Sequence, residues 1–131
     1  MRVYVAAPWK HRAQARATAQ YLRDHGQLIF SRWHDEWGTL ADESIVTDHD
    51  KRLEAKKDIA DVQVSDVLVV LNIELSEGKA VEQGIAIGAG IPVIVVGPRT
   101  HVFQYLDMFT MVASIEEAVA HLMALDERMH P

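Results

Sequence analysis

With 131 residues, no cysteine and a formal net charge of −6, the chain reads as one domain, 1–131, large enough for a core. Disulfides and thiolate metal sites are excluded, and the acidic balance argues against a nucleic-acid groove, which needs clustered Lys and Arg to neutralise phosphates. Hydrophobic content of 49% and charged content of 24% are ordinary for a globular domain, no apolar stretch approaches a membrane span, and no basic-plus-apolar leader precedes the strand-like start, so a cytoplasmic protein is expected.

Val3-Tyr4-Val5-Ala6-Ala7 is an apolar run closed by Pro8 and predicts a first buried strand. Residues 9–25 are rich in Ala, Arg and Gln, all helix formers, and Gly26 is placed to stop that helix. A second strand is predicted over 27–33. From 34 to 50 the periodicity dissolves into His, Asp, Glu, Trp and Gly, a stretch longer than most connections and therefore a candidate lid or binding loop. A second helix follows over 51–64, then the central strand Asp66-Val67-Leu68-Val69-Val70-Leu71-Asn72, a short polar loop, and a small-residue helix beginning near Ser76. Ile91-Pro92-Val93-Ile94-Val95-Val96, closed by Gly97-Pro98, predicts a fourth strand; a helical turn over 102–106 and a last strand over 109–113 follow. Ser114 and Glu117 have capping-box spacing, and Ile115, Ala118, Val119, Leu122, Leu125 and Met129 recur behind them at helical intervals. Strands alternating with helices predict an α/β fold, a three-layer, doubly wound parallel sheet of five strands in flavodoxin-like (Rossmann-like) order.

In such a sheet ligands bind outside the carboxyl ends of the strands, at helix N-termini. That places attention on the helix after the central strand and on Glu82, taken as its first-turn carboxylate. Glu82 shares a face with Ala86 and Ala89, where a buried carboxylate needs partners. Gly84, Ala86, Gly88, Ala89 and Gly90 serve close packing on any reading. A helix N-terminus favours the ionised form, so a depressed Glu82 pKa is expected, as suits a nucleophile. Tyr4 is either a core aromatic or the residue whose hydroxyl orients Glu82. Asp58 lies near a helix C-terminus, an unfavourable place for an anion, and Asp61 competes for any role given to it; Asp66 reads as capping or ending a turn before the strand.

Lys10, His11 and Arg12 follow the first strand where a phosphate loop would sit. Neither GxGxxG nor GxxxxGK[ST] is present, so dinucleotide and P-loop readings fail, and the three cations either contact a single phosphate or solvate a helix start. His34, Asp35, His49 and Asp50 lack the spacing of helical metal ligands, and no metal is expected.

Three features in this order carry a resemblance over most of the chain. They are Val3-Tyr4-Val5-Ala6-Ala7-Pro8-Trp9; Asp58 eight residues before Asp66; and Gly78-Lys79-Ala80-Val81-Glu82-Gln83-Gly84-Ile85-Ala86, a G-x-x-x-E-x-G-x-A pattern followed by Gly90-Ile91-Pro92-Val93-Ile94. Together they resemble the nucleoside 2-deoxyribosyltransferase-like superfamily, which includes 2′-deoxynucleoside 5′-monophosphate N-hydrolases. The resemblance implies cleavage of the N-glycosidic bond of a 2′-deoxynucleoside or its 5′-monophosphate without metal or cofactor. Glu82 would be the nucleophile at C1′, Tyr4 would hold it, and Asp58 would manage the proton of the departing base, in parallel with retaining glycoside hydrolysis.

Ser76, six residues before Glu82, corresponds to the phosphate-loop Ser of the hydrolases rather than to the Asp with which the transferases take a 5′-hydroxyl, and Gly78 belongs to the same loop. Trp9 and Lys10 are further candidate substrate contacts. Trp33, His34 and Trp37 either stack on the base or form an ordinary core edge. The chain departs from both branches: Pro8-Trp9-Lys10-His11-Arg12 replaces a Gly-rich segment, and no Asn-containing segment is found around 102–109. The resemblance also implies a homodimer or larger homo-oligomer. A non-catalytic nucleotide-binding or sensing domain would keep the same pocket and is the alternative reading.

Overall fold

A computed structural model describes residues 1–36 and 47–131. The elements are β1 (Arg2–Ala6), α1 (Arg12–Asp24), β2 (Leu28–Ile29), α2 (Trp33–Glu36), α3 (Asp48–Gln63), β3 (Val67–Leu71), α4 (Glu77–Ala89), β4 (Val93–Val96), β5 (Phe109–Val112) and α5 (Ile115–Met129), with single 3-10 turns at Trp9–His11 and Val102–Tyr105. The five strands form one parallel sheet in the order β2-β1-β3-β4-β5, with helices on both faces. β3 is central, and all five of its residues are buried, as a strand covered on both faces requires. Tyr4 pairs with Leu68, and Leu68 with Val93, so the first and third strands are neighbours in register. Among the described residues no helix is long and apolar enough to cross a membrane.

The second strand is shorter than its apolar stretch implies. Phe30 N–H still donates to the Val3 carbonyl at 2.8 Å, but beyond it side chains replace the backbone as partners of β1: Val5 N–H donates to Ser31 Oγ at 3.0 Å, and Trp33 Nε1–H donates to the Val5 carbonyl at 2.8 Å. The backbone is thereby released to turn into α2, and Trp33 is helical rather than extended. At the other end of the irregular stretch α3 starts at Asp48, earlier than expected. Thr47 caps it, accepting from Asp50 N–H while Asp50 accepts from Thr47 N–H. This is a capping box with Asp where Glu or Gln is usual. Residues 37–46, which include Trp37, lie outside the described residues.

The first helix begins at Arg12, after the 3-10 turn, and Gly26 follows its C-cap at φ +87°, the left-handed position that favours glycine. Asp66, in the bend just before β3, is also an ion-pair partner: Arg2 N–H donates to Oδ2 at 2.7 Å and Arg2 Nη2 to Oδ1 at 2.8 Å. The guanidinium holds the Asp66 carboxyl below the usual range. On α5, Ser114 Oγ accepts from Glu117 N–H, but Glu117 closes on Ala113 N–H, so only half of the expected capping box forms.

Candidate active site

Three polar groups from separate elements meet at one place: Tyr4 of β1, Asp58 of α3 and Glu82 of α4. Tyr4 is fully buried in the sheet. Its hydroxyl lies beside Glu82 without the geometry of a full hydrogen bond, and it has no other partner among the described residues. Burial, followed by the charges of Glu82 and Asp58, raises its pKa, so the phenol stays protonated. One oxygen of Asp58 is buried with no hydrogen-bond partner. Burial, then repulsion from Glu54 and Asp61, pushes the Asp58 carboxyl up to about 7 against the opposing pull of Lys57 and Arg32.

Glu82 keeps a partial opening to solvent. Burial pushes it up to about 8; the Tyr4 hydroxyl and Lys79 pull it down, and Asp58 pushes it further up. The expectation of a depressed Glu82 pKa is thus reversed, for two physical reasons. α4 begins at Glu77, so Glu82 lies in the second turn, past the reach of the helix dipole, and the loss of water outweighs what remains of that field. Two carboxyls that repel one another and titrate near neutrality do so as a coupled pair. One is then available as an anionic nucleophile while the other carries a transferable proton, the division of labour that glycoside chemistry uses.

A second polar cluster lies under the first turn of α4. Lys79 is only 2% exposed, and its Nζ donates to Asn72 Oδ1 at 2.7 Å and to the Glu74 carbonyl at 2.5 Å. Asn72 Nδ2 donates in turn to the Pro98 carbonyl at 2.6 Å. Gln83 Nε2 donates to the Lys79 carbonyl at 3.1 Å, Gln104 Nε2 to Gln83 Oε1 at 3.0 Å, and Thr100 N–H to Gln104 Oε1 at 2.8 Å. These bonds tie the segment after β4 to α4 and to the end of β3. Gly97, at φ +130°, makes the fit possible, because a Cβ there would meet Asn72 Cβ and its carbonyl oxygen at 3.2 Å. A cavity of about 310 Å³ is lined by Asn72, Ser76, Lys79, Gln83, Thr100 and His101, with Glu82 outside it. The sequence reading missed this cluster, although a lysine in the first turn of a helix, at the positive end of the dipole, was a signal.

Other sequence candidates fall in different places. Ser76 is the N-cap of α4, accepting from Lys79 N–H at 3.4 Å, and it also lines the cavity. Gly78 is exposed, and a Cβ there would meet only the Ser76 hydroxyl, at 3.7 Å, so crowding does not demand glycine. Lys10 and His11 converge on the Glu74 carboxylate at 3.0 and 3.5 Å, while the Arg12 guanidinium covers the Trp9 ring at 4.8 Å, so the three cations do not form one anion cradle. Trp33 is buried with its indole N–H on Val5, 6.2 Å from the Trp9 ring. His34 is wholly buried with Nε2 against Ser31 Oγ at 2.9 Å, so it presents no open face to a base. Asp61, the competitor of Asp58, is paired with Arg32 at 2.7 Å. Among the described residues no three His, Asp or Glu side chains converge as a metal-ligand set.

No protein-family model matches the chain, and no curated protein does. Solved structures do. A 2-deoxyribosyltransferase from the psychrotolerant bacterium Bacillus psychrosaccharolyticus superposes with a TM-score of 0.67 at 18% identity, covering 91% of this chain and 90% of that one. A conserved protein of Enterococcus faecalis V583 gives 0.70 at 18% identity, over 95% and 98%. The CMP N-glycosidase BcmB of Clostridium botulinum gives 0.60 at 15% identity, over 95% and 99%. At these identities the likeness is one of fold, and it extends over nearly the whole of each chain.

Proposed function

We propose that the protein is an N-glycosyl enzyme of the nucleoside 2-deoxyribosyltransferase-like superfamily that cleaves the base–sugar bond of a 2′-deoxynucleoside or its 5′-monophosphate. The observation that carries the reading is the carboxyl pair Glu82 and Asp58, both raised into the neutral range beside the buried Tyr4 hydroxyl. The shared fold with a 2-deoxyribosyltransferase and a CMP N-glycosidase supports it.

Ionised Glu82 attacks C1′ as the C1′–N bond breaks. The bonding pair leaves with the base, and protonated Asp58 supplies the proton that neutralises it. The product is a deoxyribosyl ester of Glu82. Water or a second base then attacks C1′, its proton passes to Asp58, and Glu82 is released as a carboxylate. Tyr4 donates towards Glu82 and holds the oxygen that attacks. A 2-deoxy sugar suits this path, since no electron-withdrawing 2′-hydroxyl opposes the oxocarbenium-like transition state.

Ser76 and the N-terminus of α4 would receive the 5′ end, through a hydroxyl and backbone N–H groups rather than a carboxylate. Trp9 would flank the site. Val81, Val102, Phe103 and Tyr105 are exposed large apolar side chains on α4 and the neighbouring turn, and they support a homo-oligomer assembled beside the site.

The test is a chromatographic assay of the four deoxynucleosides, their 5′-monophosphates and CMP, with and without added free base, beside Glu82→Gln. Base released by water alone makes the protein a hydrolase; a new nucleoside formed only with added base makes it a transferase. Tight binding of a nucleotide without turnover, unaffected by Glu82→Gln beyond affinity, would replace the enzyme reading with a nucleotide sensor.

A further inference from the structure

Lys79 is a buried cation in an expensive place. It sits in the first turn of α4, where the helix dipole is positive, and its Nζ touches only neutral oxygens, Asn72 Oδ1 and the Glu74 carbonyl. Among the described residues it forms no ion pair within 4 Å. Burial lowers its pKa, and two carboxylates, Glu74 and then Glu82, oppose that through space. Glu74 is already engaged by Lys10 and His11 on the surface, which leaves Glu82, one turn along the same helix, as the anion inside. Packing alone would favour a methionine or leucine here. The charge calls for a function.

The surroundings of the two carboxyls give one. Glu82 is faced by the Tyr4 hydroxyl from β1, by Asp58 from α3 and by Lys79 from its own helix, so Lys79 is the cation acting on it. Asp58 is faced by Glu54 and Asp61 and by the cations Lys57 and Arg32. The mechanism needs a proton on Asp58 and the charge on Glu82, and burial raises both carboxyls. A positive charge close to Glu82 and away from Asp58 moves the proton in the useful direction.

We propose that Lys79 is a positioning residue for the Glu82–Asp58 pair: its buried ammonium, fixed by Asn72 and the Glu74 carbonyl, keeps the negative charge on Glu82 and the transferable proton on Asp58. The catalytic half of this statement rests on the proposed function; the charge coupling does not.

The test is a carbon-13 NMR titration of glutamate Cδ and lysine Cε in the intact protein, with Glu82 assigned by its loss in Glu82→Gln. Lys79→Gln keeps donors for Asn72 and Glu74 but removes the charge; Lys79→Met also removes the donors; Lys79→Arg keeps the charge. In Lys79→Gln and Lys79→Met the Glu82 midpoint is expected to rise by about one pH unit, with Lys79→Arg near wild type. The acid limb of any kcat/KM profile should move with it. Coupling is reciprocal, so in Glu82→Gln the Lys79 midpoint falls by the same amount, a measurement that does not depend on any Lys79 variant folding. An unmoved Lys79 midpoint in Glu82→Gln, or an unmoved Glu82 midpoint in folded Lys79→Gln, overturns the proposal and leaves Lys79 as a loop fastener. Both titrations are made without substrate. A protein that turns over no nucleoside yet shows the coupling refutes the proposed function alone.

Discussion

Glu82→Gln should stabilise the protein, and more so in alkali than in acid. The Glu82 carboxyl is raised from an ordinary 4.5 to about 8 by burial. For a carboxylate raised in this way the folded state holds its proton more tightly than the unfolded chain does. The contribution to stability is therefore complete below the ordinary range, falls as pH rises through it, and is lost above about 8. Taken alone, a displacement of that size corresponds to roughly 4–5 kcal/mol. Because Glu82 titrates together with Asp58 and the site is partly open to solvent, about 2 kcal/mol is the expectation for the pair in practice. Glutamine keeps the shape of Glu82 and never ionises. Circular-dichroism melts of wild type and variant at pH 5.5 and 8.5, at equal ionic strength, should show the advantage of the variant growing by about 8 °C. The exposed Glu116→Gln serves as a control. An equal Tm gap at both pH values would mean that Glu82 ionises freely, and the argument for a coupled pair would fail.

Two other sites give independent tests. Gly97→Ala forces a left-handed φ on a residue with a side chain and drives its Cβ against Asn72, so urea denaturation should show a loss of about 1–3 kcal/mol; a change within the error of the fit would show that the turn yields without strain. His34 has the opposite pH sense to Glu82. Burial holds its pKa below the ordinary value, outweighing the pull of Asp35, with Arg23 and Arg16 adding to the depression. As pH falls through the ordinary histidine range the unfolded chain takes up a proton that the folded protein refuses, and stability is lost. His34→Gln should thus be less stable than wild type at pH 7, with a gap that narrows at pH 5; a constant gap would exclude a buried neutral imidazole.

The fold was legible because its evidence is repeated. Five predicted strands alternating with helical stretches leave little alternative to a parallel sheet, and the pairing of β1 with β3 follows from the winding order. The second strand was misjudged because periodicity cannot show that Ser31 and Trp33 side chains will take the place of backbone on Val5. The start of α3 was missed because its capping box uses Asp50 instead of a longer acid. Of the site, Glu82, Tyr4 and Asp58 could be singled out as residue types that sit badly in their local context. Of the Lys79–Asn72–Gln83–Gln104 cluster only Lys79 carries such a signal, because the cluster joins elements far apart in the chain and the amides alone read as ordinary solvent-facing residues.

The sign of the Glu82 shift was missed for a reason that the geometry of the fold makes simple. An α-helix advances about 1.5 Å per residue and a strand about 3.3 Å. Asp58 lies five residues from the end of α3 at Gln63, and Glu82 five residues from the start of α4 at Glu77, so each stands roughly 7–8 Å along its helix. Both helices run antiparallel to the strands they flank. That distance brings Asp58 up from the amino end of β3 and Glu82 down from its carboxyl end, towards the level at which Tyr4 pairs with Leu68. The carboxyls are therefore sunk against the face of the sheet instead of perched on its rim. At the rim, the helix N-terminus would have decided the protonation of Glu82; at this depth, loss of water decides it, and a nearby buried charge has the leverage to correct it.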